Sequence, residues 1–135
     1  MPTRYEALPS ISQRECVVLP LAAGPAAGAS TEQASFVAHR ASTILEAHIF
    51  PSANVAANAN VATFTLQVGA TVIGSFATTA AVGLTAAAGA ALTLTAANVN
   101  LSDGDVVKVV AASAAGGENL SSTAFYCNVT LRPNL

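Results

Sequence analysis

Val61-Ala-Thr-Phe-Thr-Leu-Gln-Val68 alternates strictly between two kinds of side chain. Ala62, Phe64, Leu66 and Val68 fall on one side, and Thr63, Thr65 and Gln67 on the other, the period of a half-buried β-strand. Gly69-Ala70 follows, and Thr71-Val-Ile-Gly-Ser-Phe-Ala77 leads back. Gly at the first of two central positions suits a type II′ turn, so residues 61–77 read as a β-hairpin. An uninterrupted register pairs Leu66 with Ile73 and Phe64 with Ser75 on the inner face. On the outer face it pairs Gln67 with Val72 and Thr63 with Phe76. Val72 and Phe76 then stand outside and need cover.

The same period recurs to either side. Residues 11–19 include Cys16-Val-Val-Leu19, a short apolar run before Pro20, and read as a first strand. Residues 21–31, rich in Ala, Gly, Pro and Ser, read as a loop. Residues 33–39 place Ala34, Phe36 and Ala38 on one side. Residues 43–50 place Leu45, Ala47 and Ile49 on one side and Ile44, Glu46 and His48 on the other. A short turn at Arg40-Ala-Ser42 would join these two strands. The competing reading, a helix over residues 32–49, is opposed by its β-branched and aromatic residues. Further on, residues 90–96 alternate Leu92 and Leu94 with Thr93 and Thr95. Ser102-Asp-Gly-Asp105 is a strong turn signal. Residues 105–112 turn Val107 and Val109 inward and Val106, Lys108 and Val110 outward. Residues 123–132 turn Phe125, Cys127, Val129 and Leu131 inward. About eight short strands at this spacing predict an all-β fold: one antiparallel β-sandwich, jelly-roll-like, over residues 11–135. Residues 1–10, with Pro2 and Pro9, read as an extended N-terminal arm, either a disordered tail or an arm ordered by a neighbouring subunit.

Composition narrows the function classes. Charged residues make up 9% of the chain, against roughly 25% in an ordinary soluble domain. Residues 47–102 contain no Asp, Glu, Lys or Arg at all. The 31 alanines and the lack of Trp imply a core of small side chains, to which burial between subunits would add. The net charge of −2 and the absence of a Lys/Arg cluster argue against nucleic-acid binding. The uncharged middle is interrupted by Asn54, Asn58, Asn60, Gln67 and several glycines, so no membrane-spanning helix is expected. The N-terminus lacks a basic region followed by an apolar run, so no secretory signal is read, and the three Asn-x-Ser/Thr triplets are taken as chance. Ile44, Val72, Phe76, Val106 and Val110 are the outward apolar residues. Gathered on one surface they would be an interface.

A search for chemistry finds little. Glu46 and His48 lie two apart on one strand, and a hairpin would bring His39 near Glu46; an exposed polar face is the plainer reading. His39 and His48 have no third ligand nearby for zinc. Asp103-Gly-Asp105 lacks the spacing of a calcium loop and reads as a turn. No nucleophile or phosphate-loop motif is present. Cys16 and Cys127 read as free thiols, and could bridge only if the first and last strands were neighbours. No cofactor, metal or catalytic residue is expected.

The strings Thr43-Ile-Leu-Glu-Ala-His-Ile49, Asn60-Val-Ala-Thr-Phe-Thr-Leu-Gln-Val-Gly-Ala-Thr-Val-Ile73, Leu92-Thr-Leu-Thr95, Leu101-Ser-Asp-Gly-Asp-Val-Val-Lys-Val-Val110 and Val129-Thr-Leu-Arg-Pro133 carry a resemblance. In spacing and composition, over about residues 12–132, the chain resembles the small β-sandwich structural proteins of tailed bacteriophages, especially capsid decoration or cement proteins. The resemblance implies a non-enzymatic protein, made in the host cytoplasm, that binds the major capsid protein on the outside of the virion. It would stabilise the shell, as a homo-oligomer with a trimer favoured. It implies no functional-residue motif, so the candidate interface is Tyr5 of the arm with Ile44, Val72, Phe76, Val106 and Val110. The alternative is a carbohydrate-binding or host-recognition sandwich of a phage tail or adhesin. That reading needs exposed aromatics, for which Tyr5, Tyr126 and Phe76 are the candidates.

Overall fold

Ten antiparallel strands make two facing sheets, described for residues 14–134 in a computed structural model. The expected N-terminal arm and Tyr5 lie outside the described residues. The strands are β1 (Glu15–Ala23), β2 (Ser30–Val37), β3 (Ser42–Pro51), β4 (Ala62–Val68), β5 (Thr71–Ala77), β6 (Ala90–Ala91), β7 (Thr93–Leu94), β8 (Asn100–Leu101), β9 (Val106–Ser113) and β10 (Ala124–Pro133). One sheet runs β1-β10-β3-β6, with β8 also on β3; the other runs β2-β9-β4-β5-β7. First strand beside last in one sheet, and second beside second-to-last in the other, is the wrapping of a jelly roll. The expected all-β sandwich is the fold. Helical structure among the described residues is one 3₁₀ turn, Ala96–Asn98.

The core lies between the sheets and follows the alternation. Phe64, Leu66, Ile73, Val107, Val109, Ala111, Cys127 and Val129 are fully buried. Each large one contributes about 1.5–3 kcal/mol of burial. Phe64 and Phe125 meet across the sheets with ring centroids 5.0 Å apart. The hairpin turn is as read: Gly69 has φ 59, no non-Gly residue among those described has positive φ, and Val68 pairs with Thr71.

Four departures from the sequence reading have two causes, an extra residue in a strand and a change of sheet. In β3 the ladder to β10 steps from Glu46–Thr130 to Ile44–Leu131, so Leu45 is a β-bulge. A bulge reverses the phase on one side of it. Ile44 therefore points inward and is 2% exposed, not an outer-face residue. In β5 the register passes from Val72–Gln67 to Gly74–Leu66, bulging Ile73. Phe76 consequently opposes Phe64 rather than Thr63 and packs, half-buried, against the core. The expected β2–β3 hairpin does not form, because the two strands belong to opposite sheets. Residues 90–96 are not one strand: Ala90–Ala91 pair with β3, Leu92 is buried, and Thr93–Leu94 pair with β5. The chain thus crosses between the sheets and seals one side of the sandwich. β1 also continues through Pro20 to Ala23. It is an edge strand, where a missing N–H costs no ladder bond.

Candidate functional site

Three of the six candidate interface residues share a surface. Val72, Val106 and Val110 stand on the outer face of the β2-β9-β4-β5-β7 sheet. One row across it is Val37 and Val106; the next is Ser35, Lys108, Gln67 and Val72; the third is Glu32, Val110, Thr65 and Ser75. Val106 is 49% exposed and Val72 37%. Both sit on regular alternation from a neighbouring turn, so the sequence places them correctly. The Lys108–Glu32 ion pair, 3.2 Å, lies among them. Being exposed, it adds at most about 1 kcal/mol and leaves the patch close to neutral. Ile44 belongs to the core, Phe76 is half-buried against it, and Tyr5 lies outside the described residues.

The opposite outer face carries a patch that reading the strands singly misses. Its rows are Pro20, Tyr126 and Phe50, then Val18, Asn128 and His48, then Cys16, Thr130 and Glu46. Val18 is the most exposed large apolar residue among those described, at 58%. Tyr126 and Phe50 stack at 4.9 Å and 12°, and His48 continues the stack at 6.2 Å from Phe50. Stacked on one another, these rings have less free face to offer a sugar than an isolated exposed ring would. The Asn128 Oδ1 atom is buried without a hydrogen-bond partner. The signal was present in the outward parity of Tyr126, Asn128 and Thr130, but it becomes a patch only once β1, β10 and β3 are known to be adjacent.

A third feature is a groove of about 400 Å³ between β1 and β2. Val17, Phe36, Ala38 and Leu131 give it an apolar lining, with Glu15, His39 and Arg40 around them. The acid–base candidates are not gathered: His39 lines this groove, whereas Glu46 and His48 are on the aromatic face, where Thr130 Oγ1 donates to Glu46 Oε1 at 3.4 Å. Among the described residues no group of three His, Cys, Asp or Glu is placed to hold a metal. The Asp103–Asp105 segment is a turn: Gly104 has φ 90, and Asp105 Oδ2 accepts the Ser102 N–H at 2.8 Å. The thiols are free. β1 and β10 are neighbours, but Cys16 opposes Thr130 and Cys127 opposes Leu19. Burial pushes the Cys127 thiol from 9.0 up to about 12. No helix among the described residues is long and apolar enough to cross a membrane.

The far end of the sandwich is tied by side-chain hydrogen bonds. Thr78 is buried, and its hydroxyl accepts the Ala62 N–H at 2.9 Å. Asn58 Nδ2 donates to Glu118 Oε1 at 3.0 Å, and Asn54 Oδ1 accepts the Ala86 N–H at 2.9 Å. Loops rich in Ala, Asn and Gly are thereby held to one another by Asn and Thr side chains.

No protein-family model matches the chain, and no curated protein matches it. Among solved structures, a chain in the structure of infectious bursal disease virus Gx strain aligns with 12% identity and a TM-score of 0.44. The alignment covers 89% of this chain and 33% of that one, so this chain spans about a third of its length. A likeness at this level carries no inference about function.

Proposed function

We propose that this chain is a virion structural protein, a capsid decoration or cement subunit that binds the major capsid protein on the outer surface and stabilises the shell. The proposal includes that it is not an enzyme and that it acts as a homo-oligomer, a trimer being favoured. The observation that carries it is the character of the two outer sheet faces. Among the described strand residues, their charges are the Lys108–Glu32 pair on one face and Glu46 and Arg132 on the other. The remainder is uncharged: mostly Val, Thr, Ser, Ala, Asn and Gln, with Cys16, Pro20, His48 and the Tyr126–Phe50 stack. Surfaces this poor in charge suit burial in an assembly, and the jelly roll is a fold used by viral capsid domains, among others.

Co-sedimentation tests it. The purified protein, mixed with expanded shells and with procapsids of its own virus, should run as a stable oligomer and move with the expanded shells alone. A monodisperse monomer that stays at the top of the gradient with both particles overturns the proposal. A carbohydrate-binding module is the second reading. Of its three aromatics, Phe76 is half-buried against the core and Tyr5 lies outside the described residues, which leaves Tyr126 as the exposed one. A glycan-array signal lost in Tyr126→Ala would favour it.

A further inference from the structure

The two ends of the sandwich differ in charge. At one end lie the loops of residues 24–29, 52–61, 78–89 and 114–123. Together these loops carry one charged residue, Glu118, whose carboxylate accepts a hydrogen bond from Asn58. The opposite end collects Arg14, Glu15, Arg40, Asp103, Asp105 and Arg132. Strand register puts them together: Glu15 opposes Leu131, Arg132 opposes Thr43, and Ser42 opposes Leu101 beside the turns at Arg40 and Asp103–Asp105. The uncharged end is apolar but built from small side chains. Twelve of its alanines are exposed, with Val61 at 38% and Val82 at 50%. Its loops are pinned to one another. Val55 and Leu84 exchange backbone bonds of 2.8 and 2.9 Å, the Leu120 N–H donates to the Pro25 carbonyl at 3.0 Å, and Asn60 Nδ2 donates to the Gly116 carbonyl at 3.2 Å. Alanine on fixed loops loses almost no side-chain entropy on burial. Burying the opposite end would strip water from six charged groups.

We propose that the uncharged loop end is the surface laid on the shell, against a near-neutral patch of the major capsid protein, while the charged end stays in water. The inference rests on the capsid reading and adds to it the surface that is used. Charge selects the partner. A strongly acidic or basic patch pressed against alanine would be desolvated with nothing to pair it. The absence of any Lys or Arg in these loops argues against a nucleic-acid partner here. Area sets how the end is used. Sheets four to five strands wide, about 4.8 Å per strand and about 10 Å apart, give an end of roughly 500 Å² once outward side chains are included. A stable interface takes about 800 Å² from each partner. One end falls short of that, and two or three ends of a single oligomer exceed it. The footprint therefore suits a protein that binds as an oligomer, each copy contributing its loop end.

Charge placed on this end tests the inference. The full chain carrying Ala57→Glu and Ala81→Glu, both exposed, is compared with Ala57→Lys/Ala81→Lys and with Ala41→Glu/Ala70→Glu, exposed positions at the charged end. Exposed substitutions of this kind leave folding nearly unchanged, which urea midpoints and light-scattering mass verify. In co-sedimentation with expanded shells, both loop-end pairs should raise the half-saturating concentration at least tenfold, and the Ala41/Ala70 pair less than threefold. Loop-end pairs that bind within threefold of the unmodified protein overturn the inference. So does an equal loss at the charged end, and tighter binding with either sign of charge overturns the neutral partner. A changed oligomeric mass in the loop-end variants also overturns it, because the end then joins copies to one another. In all these outcomes the unmodified protein still binds shells and the capsid reading stands. Unmodified protein that binds neither shells nor procapsids overturns the capsid reading and this inference with it.

Discussion

Replacing Ile44 by Ala separates the bulged β3 from a regular one. On a regular strand Ile44 would share the outer face with Glu46 and His48, and its truncation would cost under about 0.5 kcal/mol, as at most surface positions. On the bulged strand Ile44 is 2% exposed and opposes Leu131 in the core, with its N–H bonded to the Val99 carbonyl at 2.9 Å. Truncation removes three carbons, about 2.4 kcal/mol at roughly 0.8 kcal/mol per methylene. The incompletely collapsed cavity adds to this, within the 2–5 kcal/mol span of such changes, so about 3–4 kcal/mol is expected. The N–H bond to Val99 is retained by Ala, so the loss reports packing alone. Leu45→Ala is the internal comparison: half-buried on the bulge itself, it should cost roughly 1 kcal/mol. Equilibrium urea unfolding reads both. At an m-value near 2 kcal/mol/M the midpoint should fall by about 1.5–2 M for Ile44→Ala and by about 0.5 M for Leu45→Ala. A larger effect at Leu45 than at Ile44, or an effect under about 0.5 kcal/mol at Ile44, refutes the bulge and with it the inward assignment of Ile44.

The remaining predictions probe separate features. Thr78→Val keeps the shape of a buried side chain but strands the Ala62 N–H, and should cost about 1–3 kcal/mol by urea unfolding, whereas Thr63→Val on the outer face should cost under about 0.5 kcal/mol. Gly89→Ala combines φ 60 with a Cβ only 2.5 Å from the Ile49 carbonyl oxygen, so it should destabilise by more than Gly69→Ala, whose Cβ at φ 59 meets nothing within 4 Å and which should lose about 1–2 kcal/mol from its conformation alone. Ellman's reagent at pH 8 should label Cys16 rapidly and Cys127 only on unfolding, since Cys127 is buried and its thiol is pushed up to about 12. By linkage, a thiol raised in the folded state leaves stability untouched below the unfolded value of 9.0 and lowers it as pH climbs from there towards 12. Cys127→Ala should flatten that part of the pH–stability curve.

What the sequence made legible was periodicity, and what it withheld was phase. β4, β9 and β10 run without a bulge in the stretches that fill the core, and there every inward residue from Ala62 to Leu66, from Val107 to Ala111 and from Phe125 to Leu131 lies where alternation puts it. Leu45, Gln33 and Ile73 are each one residue too many for their ladders. Nothing in their chemistry distinguishes them from ordinary strand residues, because a bulge is chosen by the fit of two strands and the twist of the sheet. The split at Leu92 is likewise a tertiary event, since the alternation within residues 90–96 does not say that two open edges lie within reach. The aromatic face escaped for the same reason: Val18, Tyr126 and Phe50 come from three strands whose adjacency is set by the jelly-roll wrapping, far apart along the chain.

These phase errors bear unequally on the functional reading. At β5 the bulge withdraws Phe76 from the outer face and leaves Ser75 there; at β3 it withdraws Ile44 and leaves Leu45 beside Glu46. Each exchange replaces one uncharged residue with another, and at β5 no register could do otherwise, since the stretch from residue 47 to 102 has no charge to bring to the surface. Individual interface residues are therefore hostage to a single bulge, and two of the six candidates were lost that way. The lack of charge over residues 47–102 is a property of composition and survives every shift of phase there. An assembly role argued from that neutrality rests on firmer physical ground than one argued from any named side chain, and the experiments that bear on it first are those that read oligomeric mass and shell binding, with Val72, Val106 and the Val18–Tyr126 face as the surfaces to dissect afterwards.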